Sequence, residues 1–111
     1  KKDMIISGGE NVYSTEVENA LGSHPAVRQV VVIGIPDAKW GEAVHAIVRL
    51  HDGVSITHDD LITHTRALIA SYKIPRSVSF WEGEFPMSPA NKILKRELRR
   101  PYWEGRERTI V

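Results

Sequence analysis

Apolar positions fall into short, separated blocks along the chain, and the spacing within each block predicts an element. Met4, Ile5 and Ile6 precede Gly8-Gly9 and the segment "ENVYS", two extended pieces around a glycine pair that read as a β-hairpin. Val17, Ala20 and Leu21 then recur at helical spacing. Thr15 and Glu18 supply a T-x-x-E capping box, with Ser14 as the competing cap and Gly22 as the stop. "VRQVVVIGIP" is the most β-rich stretch, and the unbroken apolar run Val30 to Ile33 predicts a strand covered on both faces. Pro36-Asp37 ends it. After "DAKWGE", Val44, Ala46, Val48 and Leu50 alternate with His45, Ile47 and Arg49, a second strand.

Thr57 predicts a helix cap, with Asp59 and Asp60 favourable in the first turn and Leu61, Ile62, Leu68, Ile69 and Tyr72 sharing one face. Pro75 cannot sit inside that helix, and "SVSFW" from Ser77 to Trp81 reads as a third strand. Pro86 and Pro89 impose a loop with Asn91 and Lys92 at its far end. Ile93, Leu94, Glu97 and Leu98 suit a short closing helix that Pro101 stops. The sum is a small α+β domain: a three-stranded sheet, flanking helices and an N-terminal two-stranded hairpin. No internal repeat or low-complexity tract interrupts it.

Composition narrows the chemistry. A length of 111 residues suits one domain with a modest core, and 41% apolar with 26% charged residues reads as soluble and globular. The formal charge of +1 argues against a protein whose main task is to neutralise many phosphates of a nucleic acid. The absence of cysteine rules out a thiolate catalyst, a Cys-ligated metal and a disulfide scaffold, and is compatible with a reducing cytoplasm. No apolar run reaches the ~18 residues of a membrane span. "KKDMIISGGE" lacks the features of a signal peptide. The start without an initiator Met reads as a piece of a longer chain.

The histidines offer no ligand set, since His58 and His64 are not at the i, i+4 spacing of a metal pair. Asp59 and Asp60 read as first-turn helix charges rather than a catalytic carboxylate pair. The basic stretch "SPANKILKRELRR" is the remaining candidate for chemistry. Lys95, Arg96, Arg99 and Arg100 fit a solvated face or a docking face, with nucleic-acid binding as the runner-up. No aromatic residue interleaves within the cluster to stack bases.

Three stretches together resemble the adenylate-forming enzymes: acyl- and aryl-CoA ligases, peptide-synthetase adenylation domains and luciferases. "KKDMIISGGENVYSTEVE" is similar to the hinge and hairpin that open their C-terminal domain. "GIPDAKWGEAVHAIV" is similar to their strand–turn–strand, and "YKIPRSVSFWEGEFPMSPANKILKREL" to their closing motif. Order and spacing match over nearly the whole chain. The resemblance implies that residues 1–111 are the C-terminal lid of a cytoplasmic AMP-forming ligase whose large N-terminal domain is the partner. That domain would carry the ATP loop, Mg2+ and the acyl pocket.

In such enzymes a carboxylate attacks the α-phosphate of ATP to give an acyl-adenylate. The lid then rotates, and the thiol of coenzyme A attacks. Lys92 aligns with the adenylation lysine, and Lys2 with the hinge. Gly8, Gly9, Glu10 and Asn11 match the hairpin along the pantetheine tunnel; as residues alone they are equally an ordinary hairpin turn. Trp40 matches a residue that contacts the CoA nucleotide, although a Trp on a turn can also pack on its own core. Tyr72, Lys73 and Arg76 match residues that hold CoA phosphates. The chain departs from the pattern at Asn91, where Gly is usual, and at Ile74, where a basic residue is common. Asn tolerates the left-handed backbone that Gly would supply. Ile74 weakens the phosphate assignment. The rival readings are the lid of a carrier-protein-loading adenylation domain and a non-enzymatic basic module that binds nucleic acid.

Overall fold

The computed structural model describes residues 3–105. The elements run β1 (Met4–Ser7), β2 (Glu10–Tyr13), α1 (Ser14–Gly22), β3 (Val27–Asp37), β4 (Gly41–Leu50), α2 (His58–Arg66), a 3-10 turn (Ser71–Lys73), β5 (Ser77–Phe80) and α3 (Lys95–Trp103). The fold is α+β, as the apolar blocks predict.

The three expected strands are β3, β4 and β5. β3 and β4 pair antiparallel from Val27–Leu50 to Asp37–Gly41, and β5 lies parallel to β4 from His45–Ser77 to Val48–Phe80. Helix α2 makes the crossover that a parallel pair requires. The hairpin is not a separate unit. Ser7 pairs with Gly41, which joins β1 and β2 to the same sheet. Since β3 fills one edge of β4, β1 and β5 share the other, β1 at its start and β5 further along. The result is one mixed five-stranded sheet.

Both faces of β3 and β4 are covered, which explains their near-continuous apolar runs. On one face Val32, Val44, Ala46 and Val48 pack with Ile5, Val12, Val17, Leu21 and Leu61 from the hairpin, α1 and α2. On the other, Val31, Ile33 and Ile47 pack with Phe85 and Leu98. Each fully buried side chain of this kind stabilises by about 1.5–3 kcal/mol.

Four local expectations need correction. Helix α1 starts at Ser14, one residue before the expected cap, with no side-chain cap at Tyr13. Ser14 instead turns its hydroxyl to Asp3, and the Glu18 carboxylate accepts from the Val32 amide. Thr57 does cap α2, in a reciprocal box with Asp60. Helix α2 nevertheless stops at Arg66, because tight bonds from Leu68 N and Ile69 N to Thr65 O close its last turn. Leu68 and Tyr72 are therefore exposed rather than on its apolar face.

The closing helix begins at Lys95, leaving Ile93 to bridge Met87. Pro101 lies inside α3 instead of ending it. Tertiary anchors beyond it outweigh the missing amide: Trp103 Nε1 donates to Gly34 O at 2.9 Å, and Tyr102 reaches His45.

Candidate functional site

Two surfaces carry the residues that the sequence singles out. The first forms at the end of the sheet where β4 begins. Asp37 Oδ1 accepts from the amides of Lys39 and Trp40, both at 2.9 Å, which folds the β3–β4 turn and presents the indole. Gly8 reaches the same turn, its amide donating to Trp40 O at 2.8 Å. Its φ of 59° is left-handed, and a Cβ there would lie 2.4 Å from Trp40 Cε3. Glycine is required on both counts. Arg76, fixed by its amide to Val44 O, places its guanidinium 4.4 Å from the centre of the indole ring, and Lys39 Nζ lies 4.9 Å from it. Both distances suit cation–π contact.

Gly8, Trp40 and Arg76 thus converge from three separate segments. Gly9 faces open space, and Glu10 and Asn11 are exposed beside it on β2. Tyr72 shares a shallow cleft of about 300 Å³ with Arg76, Pro75 and Ile62. Lys73 turns elsewhere, to Glu16 on α1 at 2.8 Å. That hydrogen bond raises the lysine's pKa above its ordinary value.

The second surface is the loop that carries Lys92. Ser88 organises it: its hydroxyl accepts from the amides of Ala90 and Lys92, its amide donates to Lys92 O at 2.8 Å, and its carbonyl accepts from Asn91 N at 2.8 Å. Asn91 takes the left-handed conformation, φ 65°, that the family resemblance implies for it. The Met87–Ile93 bridge and the bond from Leu94 N to Pro86 O close the base. Lys92 is exposed at the tip, and no ion pair or side-chain hydrogen bond engages its ammonium among the described residues. The structure does not bring Lys92 into contact with the Gly8–Trp40–Arg76 group. Lys2 lies outside the described residues.

Two further clusters escaped the sequence reading. Lys95 is not on a solvated face. Its Nζ meets Asp3 Oδ2 at 2.6 Å, Glu18 Oε2 at 2.8 Å, Ser14 Oγ at 3.1 Å and Val32 O at 3.2 Å. Arg99 adds a longer contact to Asp3 at 3.8 Å. Burial would raise the Asp3 carboxyl, but the hydrogen bond and charge of Lys95, with Ser14 and Arg99, outweigh it and hold the pKa below its ordinary value. Nothing local in the sequence marks this cluster, because its members lie up to 92 residues apart.

The second cluster surrounds the buried His45, whose Nδ1 lies 2.6 Å from Ser77 Oγ and whose Nε2 lies 3.1 Å from Ser79 Oγ and 3.2 Å from Tyr102 Oη. Burial lowers its pKa. Between the unfolded and native values the unfolded chain binds more protons, so stability rises with pH there. The thermal midpoint is expected to hold above pH ~6.5 and to fall as pH drops from there through the depressed His45 value. A further loss is expected below pH ~3.9, as Asp3 takes its proton. Circular dichroism melts across pH check this, and His45→Gln is expected to remove the first step.

Among the described residues no group of three or more His, Asp or Glu could hold a metal ion, and no helix is long and apolar enough to cross a membrane.

Comparison with known proteins shows the family of the chain. The family model described as the AMP-binding enzyme C-terminal domain matches residues 16–92, which takes in Trp40, Tyr72, Lys73, Arg76 and Lys92. A feruloyl-CoA synthase of an Amycolatopsis species is 48% identical over 101 residues, 91% of this chain and 20% of its own. A fatty acid–[acyl-carrier-protein] ligase of Streptomyces coeruleorubidus is 43% identical over 109 residues, covering 98% of this chain and 21% of its own. The structure of a Mycobacterium tuberculosis fatty acyl CoA synthetase superposes with a TM-score of 0.83 at 44% identity, over 90% of this chain and 20% of that one. The chain therefore spans about a fifth of the length of the relatives it matches. With its fold and most of its length accounted for in this way, the chain belongs to the family of AMP-binding enzyme C-terminal domains.

Proposed function

We propose that residues 1–111 form the mobile lid of a cytoplasmic AMP-forming ligase. The enzyme would join a fatty or aromatic carboxylic acid to the thiol of coenzyme A through an acyl-adenylate. The observation that carries this reading is the placement of Lys92. It stands exposed on a loop that Ser88 cross-braces, its ammonium uncommitted among the described residues, as suits a group that acts on a substrate brought by another domain. Adenylation brings a carboxylate to a triphosphate while negative charge gathers around the α-phosphorus. A compact ammonium on a long stem suits that crowding, and a braced backbone delivers it without reorganisation. Mg2+ is assigned to the ATP-binding domain; among the described residues no group of three or more His, Asp or Glu could hold a metal ion.

The Gly8–Trp40–Arg76 group serves the second half-reaction. Gly8 lets the hairpin close against the indole, and Gly9, with open space where a Cβ would stand, leaves room for a slender pantetheine arm beside Glu10 and Asn11. The indole face suits a purine, and Arg76 suits a phosphate. Lys73 is set aside from this role by its bond to Glu16, whereas Tyr72 remains in the cleft next to Arg76. Lys2, one residue before the anchored Asp3, is assigned to the hinge.

A carrier-protein thiol is the rival acceptor, supported by the acyl-carrier-protein ligase among the relatives. Free CoA supplied to the lid joined to its ATP-binding domain separates the two. Quenching of Trp40 fluorescence is expected to saturate with CoA and to weaken as salt rises from about 50 to about 500 mM, over which the Debye length falls from roughly 14 to roughly 4 Å. Arg76→Ala is expected to weaken it about tenfold, the loss of one charge-assisted contact. Acyl transfer to carrier protein with none to free CoA would decide for the rival.

A further inference from the structure

Lys95 is the first residue of α3 and lies three residues after Lys92. The loop that holds Lys92 has two roots. Phe85, buried against Val31, Ile33 and Ile47, fixes the first. The second is the start of α3, where Leu94 N closes on Pro86 O and Lys95 begins the helix.

The Lys95 side chain runs from that root to the other end of the sequence. Its Nζ contacts Asp3, Glu18, Ser14 and Val32, so one cation ties the start of β1, helix α1, strand β3 and helix α3 together. Asp3 is in turn the point where the chain enters the domain, doubly held by Ser14, whose amide donates to Asp3 O at 3.0 Å and whose hydroxyl donates to Asp3 Oδ2 at 3.0 Å. Two carboxylates and a carbonyl around one half-buried ammonium form a directed junction, more demanding than an exposed ion pair.

We propose that Lys95 is a positioning residue for Lys92. Its tie to Asp3 and Glu18 makes the point of entry and the Lys92 loop one rigid body, so that rotation at the entry carries Lys92 to its place without play. The inference rests on the reading of Lys92 as the adenylation lysine. None of the junction's bonds touches Gly8, Trp40 or Arg76, so loosening it acts on one half-reaction and spares the other. A misplacement of the order of 1 Å at a reacting group can cost roughly a hundredfold in rate.

The test uses the intact ligase with Lys95→Met, Lys95→Arg, Asp3→Asn and the Lys95→Met/Asp3→Asn double variant. Lys92→Ala runs alongside. Adenylate formation and thioester formation from pre-made adenylate are measured separately. Lys95→Met is expected to lower kcat for adenylation roughly ten- to a hundredfold, leaving the KM for the acid and the thioester step within about threefold. Lys95→Arg, which keeps the charge, is expected to recover most of the rate. Asp3→Asn should show the same selective loss, and the double variant should be no slower than Lys95→Met, since both remove one interaction.

Equal loss in both half-reactions, or wild-type adenylation in Lys95→Met, would overturn the proposal. Should Lys95→Met not fold, Asp3→Asn and Lys95→Arg decide by the same selectivity. If Lys92→Ala abolishes adenylation and the junction variants do not, this inference alone fails. If Lys92→Ala adenylates normally, the reading beneath it fails as well.

Discussion

Gly8→Ala is expected to lower the stability of the domain and to cripple thioester formation, with adenylate formation far less affected. Two costs coincide at this position. A side chain at φ 59° pays about 1–2 kcal/mol for the left-handed backbone. Its Cβ would also fall 2.4 and 2.8 Å from Cε3 and Cζ3 of Trp40, contacts that force the indole to move. Trp40 is only half-buried, so it can swing outward; the clash is relieved by giving up the stack with Arg76. The damage therefore goes past a local strain and dismantles the surface assigned to CoA. The thioester step is expected to fall about a hundredfold, the scale of an active-site misplacement, and adenylation by less than about threefold. Calorimetry on the chain reads the first effect and half-reaction kinetics in the intact ligase read the second. Loss confined to stability would detach the hairpin from the CoA site.

How much of this was legible follows from the range of the interactions. The left-handed Asn91 was legible through the family resemblance, and blocks of local pattern were readable in themselves: the Thr57 cap and the β-rich run at Val30–Ile33. Each depends on neighbours a few residues away. Errors came where distant partners decide. Thr15 and Glu18 have the spacing of a capping box, yet Glu18 is drawn to the Val32 amide and to Lys95, and the box does not form. Pro101 is a helix breaker by local rule, but Tyr102 and Trp103 are held by His45 and Gly34. Helix α2 stops early because Thr65, buried with its hydroxyl on Leu61 O, gathers the following amides onto its own carbonyl.

The candidate site divides along the same line. Spacing and family resemblance together named Gly8, Trp40, Arg76 and Lys92. The structure adds that the first three meet and that Lys92 stands apart. Lys73 bound to Glu16 and the Lys95 junction were illegible, since each joins helices and strands that only the fold brings together. The Met87–Ile93 bridge belongs here too: Ile93 looks helical by spacing, but its backbone closes the loop beneath Lys92. Ser88 had a signal that could have been used. A Ser three residues before a left-handed Asn is a side chain able to brace a tight turn.

Replacement of Lys92 by Ala in the intact ligase is expected to remove about 3–4 kcal/mol of transition-state stabilisation, on the order of a thousandfold in the rate of adenylate formation. The loss should appear in kcat, because in the proposed role the ammonium acts on charge that develops as the anhydride forms and contributes less to binding either substrate. Lys92→Arg is expected to recover little, since a planar fork does not replace a compact ammonium reaching between carboxylate and phosphate oxygens. The backbone of the loop should survive, because Ser88, Asn91 and the Met87–Ile93 bridge hold it without the Lys92 side chain.

The most direct measurement is pre-steady-state: mix the Lys92→Ala ligase with ATP and acid, follow pyrophosphate release, then supply pre-made acyl-adenylate with CoA and follow thioester. A slow first step beside a nearly normal second one is the predicted result. A first step at wild-type speed, or two steps slowed alike, would contradict the account.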